Sequence, residues 1–224
     1  PGAPESVRLE IAELMEQRRR MQADVEETIE SEISAVLISE GFSTGFGLVF
    51  PPVDTTFAAA PGVLILSPRN RIQRITAIPL KPGLTNADKE GIEDEILLQQ
   101  NLAALVEEIG GIATFPSVVE AGGNMRHAVV TAAHEWLHHW FFFRPLGQGF
   151  WDDHHMTTLN ETAATLGGWE IGNRVYATLT GEPSEPLVAT DLASRTLAYN
   201  TAILETRLTT DELLSLGKIE EAEA

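Results

Sequence analysis

Residues 129–143, VVTAAHEWLHHWFFF, constrain the fold of this chain more than any other stretch. The run lacks Pro and Gly, Asn124 precedes it as an N-cap, and Arg144-Pro145 stops it. It therefore reads as a helix from about Asn124 to Phe143. Val129, Val130, Ala132, Ala133, Trp136, Leu137 and Trp140 make that helix a buried rod, yet His134, Glu135 and His138 are set into it. Burying such polar groups is costly unless something satisfies them. Residues four apart on a helix are rotated by about 400°, so His134 and His138 project from one face, one turn apart, with Glu135 beside them. Two imidazoles so placed can bind one tetrahedral ion.

The surrounding composition narrows what such a site does. All six histidines fall between His127 and His155 and all four tryptophans between Trp136 and Trp169, which marks a site rather than scatter. There is no cysteine, so disulfides, thiolate metal sites and cysteine nucleophiles are excluded, and any metal must be held by His and carboxylate. That donor chemistry suits Zn²⁺ or another borderline divalent ion. The formal net charge of −18 argues against nucleic acid as a partner, because phosphate backbones are bound through Lys and Arg. It also opposes an anionic membrane face. No run of eighteen clean apolar residues is present, so direct membrane insertion is not expected. At 224 residues, with 43% hydrophobic and 21% charged, the chain reads as one soluble domain with helical extensions.

Along the chain, residues 5–40 contain no Pro or Gly and read as a long amphipathic helix with Val7, Ile11, Leu14, Met21 and Val25 on one stripe. This is expected to be a packed or coiled-coil arm, or a stalk. The GFSTGFG segment breaks it. Residues 63–80 read as two strands around a Pro68–Arg71 turn. A helix is expected from about Asn86 to Ile109, ended by Gly110-Gly111, followed by a short strand in 112–119. Another helix begins near Leu159, and a pair of helical segments fills 189–224. The expected division is a helical arm at 1–42, a catalytic domain at 43–185 and a C-terminal helical segment at 186–224 that packs on it. The start at PGAPESV and the end within GKIEEAEA read as a fragment, with an anchoring or targeting segment expected outside it and an extracytoplasmic location one possible arrangement.

His134-Glu135-x-x-His138 on a helix is the zinc metallopeptidase pattern, in which the glutamate is the general base. A catalytic zinc keeps three protein ligands and one open position. The metzincin continuation needs Gly and His three and six residues after His138, where Phe141 and Arg144 stand, so that class is excluded. Asp153, His154, His155 and Glu161 are the candidates for a third ligand. With Asn160-Glu161 lying 23 residues after His138, residues 124–172 resemble the gluzincins, the thermolysin-like and aminopeptidase-like zinc peptidases. The resemblance implies an α+β zincin-like fold, a small twisted sheet packed on the active-site helix. It also implies one Zn²⁺ held by His134, His138 and Glu161, Glu135 as general base and acid, and a peptide or protein substrate. An edge strand aligning that substrate is implied too, from either 112–119 or the 63–80 hairpin. Many gluzincins carry an aspartate four residues after the ligand glutamate, where Thr165 stands here. A hydroxyl is a weaker orienter, so the expectation is either that Asp191, Asn160 or a backbone carbonyl orients the histidine or that metal affinity is reduced. For the oxyanion, Tyr176, Tyr199, His154 and His155 are candidates, Tyr176 the least well placed.

Other classes fit less well. A ferritin-like di-iron protein would need a second Glu-x-x-His, and the chain has only Glu135…His138. An intramembrane protease would need a longer apolar helix. A non-catalytic zinc scaffold that binds partners has no use for Glu135 and would close the fourth position. His127 lies on the ligand face farther along the helix, His139 reads as a packing or surface residue, and Gly167, Gly168 and Gly172 are expected to let two helices approach closely.

Overall fold

The computed structural model describes residues 4–120, 124–183 and 190–223. In chain order the elements are α1 (Glu5–Ser39), β1 (Thr55–Ala58), β2 (Gly62–Pro68), β3 (Thr76–Leu80), α2 (Asn86–Gln100), β4 (Leu102–Glu108), β5 (Gly111–Ile112), β6 (Ser117–Glu120), α3 (Met125–Phe142), α4 (Pro145–Gln148), α5 (His154–Thr180), α6 (Thr190–Ser215) and α7 (Ile219–Ala222). The class is α+β, and the two sheets have three strands each. No helix among the described residues is long and apolar enough to cross a membrane.

The chain divides into two compact units, 1–58 with 111–184 and 59–110 with 185–224. This partition differs from the expected 1–42, 43–185 and 186–224. The expected arm joins the first unit because Ile29, Ile33 and Leu37, one face of the last three turns of α1, are buried in its core. The stripe Val7, Ile11, Leu14, Met21 and Val25 is exposed instead. The last helices, α6 and α7, group with the second unit, and the boundary at 185 lies outside the described residues.

In the second unit, β2 pairs antiparallel with β3 on one side and β4 on the other, and Leu64, Leu66 and Val106 pack with Ile92 and Ile96 of α2. Here the helix expected over 86–109 is cut short. Thr85 and Asp88 form a capping box at its start, and Asn101, at φ 53, ends it in the left-handed conformation. Residues 102–108 then leave as β4, because pairing along all of β2 outweighs the helical preference of Leu-Ala-Ala-Leu.

In the first unit the sheet order is β1-β6-β5, with β1 parallel and β5 antiparallel to β6. The outer edge of β1 is closed by side chains of α1 at four-residue spacing. Glu30 accepts from the Thr55 N–H at 2.7 Å, and Glu26 accepts from the Phe57 N–H at 2.6 Å and the Thr56 hydroxyl at 3.0 Å. Gln22 donates to the Phe57 carbonyl at 2.9 Å. These contacts satisfy the backbone groups that an added strand would use.

Beneath lies α3, capped at its start by Asn124, which accepts from the His127 N–H at 2.9 Å. It ends where Arg144 turns extended before Pro145. Trp136 is 1% exposed and donates to the Pro51 carbonyl at 2.8 Å, which ties the 42–53 segment to this helix. Helix α5 starts at His154, five residues before the expected Leu159, because Asp153 accepts from the His155 and Met156 N–H groups.

The contact between α3 and α5 depends on glycine. A Cβ on Gly172 would lie 2.5 Å from Val130 Cα, one on Gly168 would lie 2.9 Å from His134 Cα, and one on Gly167 would lie 2.7 Å from a Leu137 methyl. Gly172→Ala would gain about 1 kcal/mol of helix preference at an open site. In this backbone-to-backbone contact it should instead lower unfolding stability by about 1–3 kcal/mol, measured by urea denaturation in the presence of a chelator. A variant as stable as the parent would refute the contact.

Candidate metal centre

The close approach of α5 to α3 places the second turn of α5 against the His134–His138 face. His134 Nε2 and His138 Nε2 are 3.0 Å apart, and Glu161 Oε2 lies 3.6 Å from the first and 3.5 Å from the second. A tetrahedral zinc with bonds near 2.0–2.1 Å sets its donor atoms about 3.3 Å apart. The three atoms thus form one face of a coordination tetrahedron, and the group could hold a metal ion. Among the described residues it is the one such group of His and carboxylate side chains. The two histidines are largely buried, and the Glu161 side chain is 48% exposed, so the site opens on the Glu161 side.

Each donor is oriented by its neighbours. His138 Nδ1 donates to Asn160 Oδ1 at 2.9 Å, which leaves Nε2 to face the other two donors. Asn160 is itself fully buried and donates to the Leu146 carbonyl at 3.1 Å, so its amide cannot turn freely. Of the groups expected to orient the histidine, Asn160 is the one hydrogen-bonded to His138. Thr165 is exposed, and the Asp191 side chain lies outside the described residues.

The electrostatics of the group are coupled. Hydrogen bonding to His134 and His138 lowers the Glu161 carboxyl to about 2, against the cost of burial. Burial pushes His138 down, but the Glu161 and Glu135 carboxylates and Asn160 outweigh it and its pKa is raised overall. Glu135, 6% exposed, is raised: burial pushes its carboxyl up, and the His134 and His138 charges offset only part of this.

The rival ligands stand apart. Asp153 caps α5, His155 is exposed, and the His154 side chain lies outside the described residues. His127 is exposed at the start of α3. The His139 ring packs 5.9 Å from Phe115, with both nitrogens buried beside the Ala113 and Thr114 backbone but outside hydrogen-bond geometry. Burial holds its pKa below the usual histidine value. Tyr176 stacks under Arg126 at 4.2 Å near the start of α3, and Tyr199 is exposed in the second unit. The sequence did not suggest Gly111. Its backbone lies against Glu135, whereas Gly110-Gly111 reads in sequence as a helix stop. Of the two candidate edge segments, 112–119 contributes to β5 and β6, which pack on α3, while the 63–80 strands belong to the other unit.

Compared with protein-family models, curated proteins and solved structures, the chain matches none.

Two outcomes test the ligand set. Glu161→Ala should lose bound metal while His155→Ala keeps it, as read by elemental analysis; the reverse pattern would move the third ligand. Asn160→Ala should weaken metal affinity about 10–100-fold in a chelator competition, and an unchanged affinity would show that Asn160 does not orient His138.

Proposed function

We propose that the chain is a zinc-dependent peptidase of gluzincin type, with Glu135 as general base and acid and His134, His138 and Glu161 as the metal ligands. The observation that carries this reading is the pairing of a three-donor triangle with a buried carboxylate one residue from a ligand. A structural zinc closes its shell with four protein donors, whereas three donors gather here among the described residues. Two imidazoles and one carboxylate, without thiolate, fit zinc among the divalent ions.

A bound zinc would supply Lewis acidity, lowering the pKa of coordinated water to about 7 and polarising the scissile carbonyl. The remaining work falls to the protein. Glu135, its carboxyl raised by burial, takes a proton from the attacking water and returns it to the departing amine. Asn160 holds His138 in the tautomer that presents Nε2 to the other donors. The β1-β6-β5 sheet supports a polypeptide as substrate. Its β1 edge is closed by Glu26 and Glu30, while β5, on the opposite edge, packs on the same helix that carries the ligands. An extended peptide can add to β5 through backbone hydrogen bonds, which selects for chain direction before side-chain identity.

Glu135→Gln should reduce hydrolysis of a mixed fluorogenic peptide set by at least about 100-fold. Its zinc content should match that of the parent by elemental analysis. Parent-level turnover in this variant would remove Glu135 from the chemistry.

A further inference from the structure

Strand β5 brings a backbone against the Glu135 carboxylate more closely than any side chain would permit. A Cβ on Gly111 would sit 2.7 Å from Glu135 Oε1, 2.8 Å from Thr131 Cγ2 and 3.0 Å from the Val118 carbonyl oxygen. The reason for glycine here is space, since Gly111 is not among the residues with positive φ. The three neighbours differ in how far they can yield. Val118 belongs to β6 and is paired with Ile112, so its carbonyl is fixed by the ladder. Thr131 is buried on α3, and its β-branched side chain has a single stiff torsion. The Glu135 carboxylate alone stands at the end of several rotatable bonds, and is the group that a larger residue would displace.

We propose that Gly111 is a positioning residue, the bare Cα of β5 forming the seat of the Glu135 carboxylate beside His134 and His138. Its catalytic meaning rests on the reading of Glu135 as the general base; the seat itself does not. One backbone then serves two purposes. The strand that offers its outer edge to a peptide also fixes the base, so substrate alignment and base alignment share a single rigid reference.

The test is a melting cycle on four full-length proteins: the parent, Gly111→Ala, Glu135→Ala and the double variant. Gly111→Ala should lower Tm by about 5 °C when Glu135 is present and by much less when it is absent. It should also keep its zinc while kcat on the peptide set falls about 100-fold, with KM within a few-fold of the parent. A Gly111→Ala protein that fails to fold while the double variant folds supports the seat equally. Equal Tm losses in both backgrounds, or failure of both proteins carrying Gly111→Ala to fold, would assign the constraint to Thr131 and the strand and overturn the proposal. So would an unchanged kcat in Gly111→Ala. If the parent hydrolyses no peptide, the functional reading fails and the melting cycle still decides the seat.

Discussion

Everything at the candidate metal centre depends on how closely two helices meet. Glu161 faces the two imidazoles from α5, whose backbone runs against α3 with no room for a side chain at Gly168 and Gly172. Ordinary helix pairs stand about 8–10 Å apart, and a contact lined by glycine permits an approach at the short end of that range. The glycines accept a cost in helix preference to set that distance. Ala164, Ile171 and Val175 on the same helix are buried and hold the pair together. The site is in this sense a product of packing, its three donor atoms brought together by the fold alone.

The sheet above it is arranged with equal economy. Three strands leave two edges, and the chain treats them differently. On one, three side chains of α1 satisfy the backbone of β1 as a neighbouring strand would. On the other, the two-residue strand β5 pairs with β6 and packs directly against α3. The buried Glu135 sits where that strand and that helix meet, which accounts for its raised carboxyl pKa.

Much of this was legible in the residues. The extent of α3 follows from Asn124 and Pro145, the ligand face from the four-residue spacing of His134 and His138, and the tight helix contact from the glycines of α5. What was not legible depends on tertiary pairing. Residues 102–108 carry helix-favouring Leu, Ala and Glu, and only the partner strand β2 makes them extended. The same pull towards helix hid Gly111, because a pair of glycines after a helix reads as a stop rather than as a gap reserved for a carboxylate. The division into units was hidden for a related reason: α1 is joined to the first core by three residues in its last turns, whereas the more regular apolar stripe nearer its start stays exposed.

The placing of the 59–110 segment has a consequence of its own. It leaves from β1 and returns at β5, and these two strands flank the same central strand, about 10 Å apart at the usual strand spacing. A segment whose two ends emerge side by side can grow or shrink without shifting the register of the three strands it interrupts. The length of this excursion is therefore free to vary while β1, β5 and β6 keep their pairing.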